Sequence, residues 1–158
     1  MSEATLVPQI RHAQPHDAPR LAVLATQLGY PSTEQEMAAR LRTIQQDPAD
    51  AVFVADVPGR GACGFAHMHA GIALESGPRA ELVGLVTDAS LRSRGLGALL
   101  VAEAERWARA KGFSQMCVRC NVVRADAHRF YERLGFQCSK TQKYFRKSLA
   151  TPEAPERR

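Results

Sequence analysis

The chain has little of what would place it outside the ordinary globular class. No apolar run in its 158 residues comes near the ~20 needed to span a bilayer, so no membrane partner is expected. Its opening stretch, Met-Ser-Glu-Ala-Thr-Leu-Val-Pro, has no basic patch leading into an apolar core and does not read as a signal peptide. Four cysteines are too few for a disulfide scaffold in a chain of this length. They read as reduced thiols, and the expected location is cytoplasmic. Acidic charge is in deficit, at 16 Asp and Glu against 21 Lys and Arg. The deficit is uneven: residues 1–79 hold six basic and eight acidic side chains, residues 80–158 fifteen and eight. A basic second half calls for an anionic partner. Basic strands interleaved with aromatics are missing, as is any recognised nucleic-acid motif, so nucleic acid is not the partner expected. What is present, 45% apolar side chains, is enough for one folded domain with a real core.

The most informative stretch is Leu85-Val86-Thr87-Asp88-Ala89-Ser90-Leu91-Arg92-Ser93-Arg94-Gly95-Leu96-Gly97. It reads as a strand, a short polar turn, and two glycines opening a long helix. A helix start carries unpaired N–H groups and the positive end of the macrodipole. Glycine lets the backbone come close to a bulky anion, and Arg92 and Arg94 add charge suited to phosphate oxygens. The stretch is a candidate pyrophosphate cradle.

Around it the chain reads as follows. Pro8–Ala13 is a short strand. Asp17 caps a helix with Pro19 in its first turn and Leu21, Leu24 and Leu28 on its apolar face. Ser32 or Thr33 caps a second helix striped by Met37, Leu41 and Ile44. Residues 51–71 form a β-hairpin that places His67 and His69 on one strand face. Two histidines with no third ligand nearby read as packing or as a polar cleft lining; no metal is expected. Ala80–Thr87 is a strand in which Gly84 interrupts a β-branched run, the mark of a bulge or a close backbone approach. A helix follows from Gly95 to Lys111 with Leu96, Leu100, Ala104 and Trp107 on its buried stripe, then a strand over Gln115–Cys120. Alternation puts Cys117 and Cys120 on opposite faces, against a disulfide. Ala127, Phe130, Tyr131 and Leu134 stripe a last helix, stopped by Gly135. A strand enters from Phe136, and Lys143–Leu149 is the final strand.

The pattern Arg92-x-x-Gly95-x-Gly97 after an apolar strand resembles the acyl-CoA loop of the GNAT superfamily of N-acetyltransferases. Ala127-His128-Arg129-Phe130-Tyr131-Glu132-Arg133-Leu134-Gly135-Phe136 is similar to that family's second signature helix, and Glu81 stands eleven positions before Arg92, where the histone-acetyltransferase branch keeps a general base. The resemblance covers roughly residues 8–149, with its specific part at 81–136, leaving 1–7 and 150–158 as disordered flanks. It implies an α/β fold: a mixed, mostly antiparallel sheet splayed between its fourth and fifth strands, with helices on both faces.

For activity, the resemblance implies transfer of the acetyl group of acetyl-CoA to a primary amine by direct attack. Glu81, or water, would be the base and Tyr131 the acid. Arg92, Ser93, Arg94, Gly95, Leu96 and Gly97 would hold the pyrophosphate, while Leu85, Val86 and Thr87 pair with the pantetheine arm. A backbone N–H near Val86 would meet the developing oxyanion. Asn121, Arg124 and Ala127 would complete the cofactor site. Here Ala89 stands where the family often has Pro, and Arg124 where it often has Asn. Tyr30, Glu34 and Glu36 sit where the family builds its variable acceptor wall, and His67 is a candidate lining of the acceptor cleft; Glu34 and Glu36 are better explained as first-turn residues on the helix dipole. The acceptor expected is a small cationic amine of aminoglycoside or polyamine type, or an amino acid. A protein amine and a non-catalytic acyl-CoA sensor are the alternatives, and a homodimer is common in the family.

Overall fold

The computed structural model describes residues 7–120 and 122–151. The chain divides between Arg119 and Cys120 into two compact units.

The first unit is built on a five-stranded sheet: β1 Gln9–His12, β2 Asp50–Val57, β3 Gly61–Ala73, β4 Gly77–Thr87 and β5 Met116–Val118. The strands lie side by side in chain order, antiparallel except for the parallel pair β4 and β5. Three helices accompany it: α1 Ala18–Gln27, α2 Glu34–Gln45 and α3 Leu96–Ala110. The result is the mixed, mostly antiparallel α/β sheet that the sequence led us to expect.

Helices cover both faces because neighbouring strand residues point opposite ways. Val54 and Phe65, paired across β2 and β3, pack with Leu21 of α1 and Leu41 of α2. Gly64, next to Phe65, faces the other way; a Cβ placed there would come within 3.0 Å of Leu100 on α3. Glycine at that position lets α3 approach the sheet. Leu24, Met68, Val54 and Leu100 are fully buried, and truncating either leucine to alanine costs about 2–5 kcal/mol.

Two irregularities shape β4. His67 stands opposite Gly84 and Met68 opposite Leu82, so Val83 is an extra residue, a one-residue bulge next to the glycine that signalled it. β5 pairs only with Ala80–Leu82. Beyond the bulge, Val83–Thr87 keeps β3 on one side and has no strand on the other among the described residues. This is the expected splay between the fourth and fifth strands.

Several local expectations change. Thr33 does cap α2, accepting from the N–H of Glu36 at 3.1 Å. Asp17 makes no side-chain cap for α1. It is buried and accepts instead from Arg11 Nη1 and Nη2, at 2.7 and 2.9 Å, and from the N–H of Gln14 at 2.7 Å. Burial alone would raise its pKa; the hydrogen bonds from Arg11 and Gln14 outweigh that and lower it. On α3 the buried stripe runs through Val101 and Ala108 rather than Trp107. Small Ala108 fits beneath the helix, while Trp107 sits at its edge with Lys111 Nζ 5.3 Å from the ring centroid. Glu103, near the stripe, pairs with Arg106 one turn on.

In the second unit the described structure is α4, Ala125–Arg133, followed by a segment without regular secondary structure. Tyr131 packs edge-on against Phe130 and Phe136, with ring centroids 5.2 and 5.5 Å apart. The strands expected from Phe136 and over Lys143–Leu149 are not formed. Tyr144, Phe145 and Leu149 stand 82%, 85% and 88% exposed. Alternating side chains make a strand only when a neighbour completes the ladder, and this segment has none among the described residues. Cys63, Cys117 and Cys138 are free thiols. No described helix is long and apolar enough to cross a membrane.

Candidate active site

The glycine corner begins where β4 ends. Asp88 accepts from both the N–H and the hydroxyl of Ser90, at 3.0 and 2.9 Å, and pairs with Arg20 Nη2 of α1 at 2.6 Å. The Ser90 N–H and the Arg20 guanidinium together hold the Asp88 carboxyl down to about 2. Gln27 of α1 accepts from the N–H of Ala89 at 2.9 Å. Leu91 and Leu96 are buried anchors on either side of an exposed arch, Arg92-Ser93-Arg94-Gly95. Within it Ser93 (φ 65°) and Gly95 (φ 79°) are both left-handed. For serine this conformation is costly, which marks the arch as specifically shaped.

Gly95 is the N-cap of α3 and offers no side chain to it; the first turn holds no acidic residue. The first helical bond runs from the N–H of Leu99 to Gly95 O at 3.1 Å. The N–H groups before Leu99 therefore point out at the positive end of the helix, flanked by two exposed arginines. A Cβ built on Gly95 would meet nothing within 4 Å. The corner is open and cationic, lined by backbone donors, and its residues fit a diphosphate. Just upstream, Leu85, Val86 and Thr87 lie on the half of β4 that has no second strand neighbour among the described residues, where an extended ligand can pair with the backbone.

Glu81 stands on the other half of β4, on the sheet face covered by α1 and α2. Its carboxylate is 12% exposed and lies between two cations, Arg119 Nε at 3.2 Å and Arg79 Nη2 at 4.0 Å. Across the sheet Glu81 is opposite His69 on β3 and Cys117 on β5, and His69 is opposite Asp50 on β2. Asp50 Oδ1 bonds both His67 Nε2 (2.9 Å) and His69 Nδ1 (3.0 Å). His69, Arg79 and Glu81 line a cavity of about 190 Å³.

Of the expected acceptor residues, His67 thus joins the row that includes Glu81, with its Nε2 taken by Asp50. Tyr30 is exposed after α1. Glu34 lines a separate groove of about 570 Å³ with His16 and Pro19. Among the described residues Glu81 pairs with Arg79 and Arg119, not with Tyr30 or Glu34. In the second unit, burial pushes the Tyr131 hydroxyl up, and nearby Cys120 adds to this while Arg124 opposes it. Arg124 is the N-cap residue of α4, and Ala127 is half-buried on its first turn. Asn121 lies outside the described residues. Sequence reasoning missed Arg20, Asp50, Arg79 and Arg119. Only Asp50 carried a signal, as the residue that begins the β2 run.

A family model described as "Acetyltransferase (GNAT) family" matches residues 18–136. The type 1 aminoglycoside N(6')-acetyltransferase of Serratia marcescens is 29% identical over 134 residues, covering 80% of this chain and 89% of that protein. A putative acetyltransferase structure from Agrobacterium tumefaciens C58 is 27% identical at a TM-score of 0.78, over 88% of this chain and 99% of its own. The aminoglycoside N-acetyltransferase AAC(6')-Iy, solved in complex with CoA, superposes with a TM-score of 0.82 at 24% identity, over 93% and 99%. At that identity the likeness concerns the fold.

Proposed function

For a chain that belongs to the acetyltransferase (GNAT) family, and so is an acyl-CoA-dependent N-acetyltransferase, we propose acetyl-CoA as the donor and a small cationic amine of aminoglycoside type as the acceptor. The observation that carries the donor reading is the open glycine corner at the end of a half-paired strand. Support for the acceptor comes from the Serratia relative, whose name specifies aminoglycoside acetylation, and from the Glu81 carboxylate facing a small polar cavity.

Acetyl-CoA supplies a thioester carbonyl for the amine to attack. In this reading the backbone N–H groups at Leu96 and Gly97, with Arg92, Ser93, Arg94 and Gly95, hold the diphosphate. Leu85, Val86 and Thr87 align the pantetheine arm, and an N–H near Val86 faces the oxygen that gains charge. Arg124, Ala127 and Asn121 are proposed as further contacts. Glu81 orients the amine, whose proton leaves directly or through water to a base at the cavity. Tyr131 returns a proton to the departing sulfur; a hydroxyl kept protonated by burial suits a donor.

Thiol release from acetyl-CoA, measured against aminoglycosides, polyamines, amino acids and a lysine peptide, tests the reading. Turnover fastest with aminoglycosides is the expected result. Turnover only with the peptide would replace the acceptor. Saturable CoA binding without thiol release under any condition would overturn catalysis in favour of a sensor.

A further inference from the structure

His69 has two chemically distinct ring nitrogens, and the sheet treats them differently. Nδ1 lies 3.0 Å from Asp50 Oδ1. A carboxylate only accepts, so Nδ1 carries the proton and the neutral ring keeps its lone pair on Nε2. A Cβ built on Gly71 would lie 3.3 Å from Nε2, and both His69 and Gly71 line the cavity that Glu81 shares. Glycine at 71 therefore leaves Nε2 uncovered on the cavity side. Nε2 has no hydrogen-bond partner among the described residues. Glu81 is differently placed: Arg119 holds one of its oxygens and Arg79 approaches the other. Of the two candidate proton acceptors facing the cavity, the carboxylate is already matched by cations and the imidazole is not.

We infer that His69 is a catalytic base for the acceptor amine, with Asp50 as its positioning residue. The inference rests on the acetyltransferase reading above. A substrate ammonium held at the cavity by Glu81 gives one proton to Nε2. The N–H bond breaks, its electron pair stays on the amine nitrogen as the nucleophile, and the Nε2–H bond forms. The Asp50 carboxylate then faces an imidazolium, as an orienting acid does in an Asp–His pair. As the N–C bond forms and the C–S bond breaks, the departing sulfur takes the Tyr131 proton and the second amine proton replaces it on the tyrosine. His67, bonded to the same Asp50 oxygen at 2.9 Å, holds that carboxylate in place. The charged and titratable groups around the ring are Asp50 on β2, His67 on β3, Arg79 and Glu81 on β4, and Cys117 and Arg119 at β5.

The test is the pH dependence of kcat, with CoA affinity measured in parallel. His69→Gln lowers kcat at neutral pH by roughly 10²–10⁴-fold, and rate returns in alkaline buffer where the amine is deprotonated by solvent. The dissociation constant for CoA stays unchanged. Asp50→Asn lowers kcat and leaves the dissociation constant for CoA unchanged, since the ring loses the acceptor that fixes its tautomer and orientation. Gly71→Ala, which crowds Nε2, raises KM for the amine and leaves KM for acetyl-CoA alone. A wild-type acid limb that persists in His69→Gln and disappears in Glu81→Gln overturns the inference and leaves the acetyltransferase reading intact. Lack of thiol release by wild-type protein with any amine overturns that reading instead. In that case nitrogen-15 NMR of the ring decides the present point: an Nδ1–H tautomer that weakens in Asp50→Asn is expected, and an Nε2–H tautomer refutes it.

Discussion

The glycine corner and the polar row occupy opposite ends of one strand, β4, on either side of the Val83 bulge, and they are built in opposite ways. The corner is nearly continuous in sequence, Asp88 to Gly97, and its working groups are mostly backbone N–H donors. The row is assembled from four strands, and its working groups are side chains: Asp50, His69, Glu81 and Cys117 meet only through register. A site of backbone donors tolerates variation at any residue that keeps the φ angles. A site of side chains depends on every strand staying in register, because a one-residue slip would turn the whole set to the other face.

The contrast can be broken most strongly at Gly95. An aspartate there takes on a left-handed conformation costing about 1–2 kcal/mol and puts a negative charge among the phosphate donors, worth roughly another 1 kcal/mol. Gly95→Asp should weaken CoA about 100-fold by calorimetry. Glu81→Gln should leave CoA affinity as it was while thiol release falls. If both variants lose CoA equally, the two regions are not separable.

Asp88 joins the strand to the corner, and its ionisation sharpens the comparison through stability. Its folded-state value, about 2, lies below the ~3.9 of an unfolded Asp. Its contribution is therefore complete above about pH 4 and is lost as pH falls toward 2. Asp88→Asn should cost about 1–2 kcal/mol at neutral pH in urea unfolding. The gap to wild type should close in acid; a constant gap would mean that the carboxylate's bonds from the Ser90 N–H and Arg20 are not its source.

Tyr131→Phe extends the comparison to the second unit. Because the hydroxyl is pushed up by burial, an acid role predicts that wild-type kcat falls only above the ordinary tyrosine range. The variant should lose about tenfold in kcat together with that basic limb. An unchanged profile would remove Tyr131 from the proton path. The smallest effect belongs to the exposed segment: Phe145→Ser should shift stability by no more than about 0.5 kcal/mol, read as an unchanged Tm.

The same contrast explains what could be read from the sequence. Arg92-x-x-Gly95-x-Gly97 was legible because a left-handed glycine opening a helix is a local event with a local signature. The bulge was legible through Gly84. The partnership of Asp50 with His69 was not, since 19 residues separate them and only the β2–β3 register joins them. Alternation in 51–71 placed His67 and His69 on one face but could not say which ring would meet a cavity. Asp17 read as a cap because capping is a near-neighbour rule; its burial against Arg11 is tertiary. Lys143–Leu149 read as a strand, yet a strand also requires a ladder partner, and a single segment carries no information about one.

The most direct measurement is calorimetric titration of CoA into the folded protein at low and at high salt. The account predicts saturable binding of one CoA per chain, weaker at high salt because arginines and helix-end donors hold the diphosphate. Folded protein that takes up no CoA at either salt concentration would contradict it.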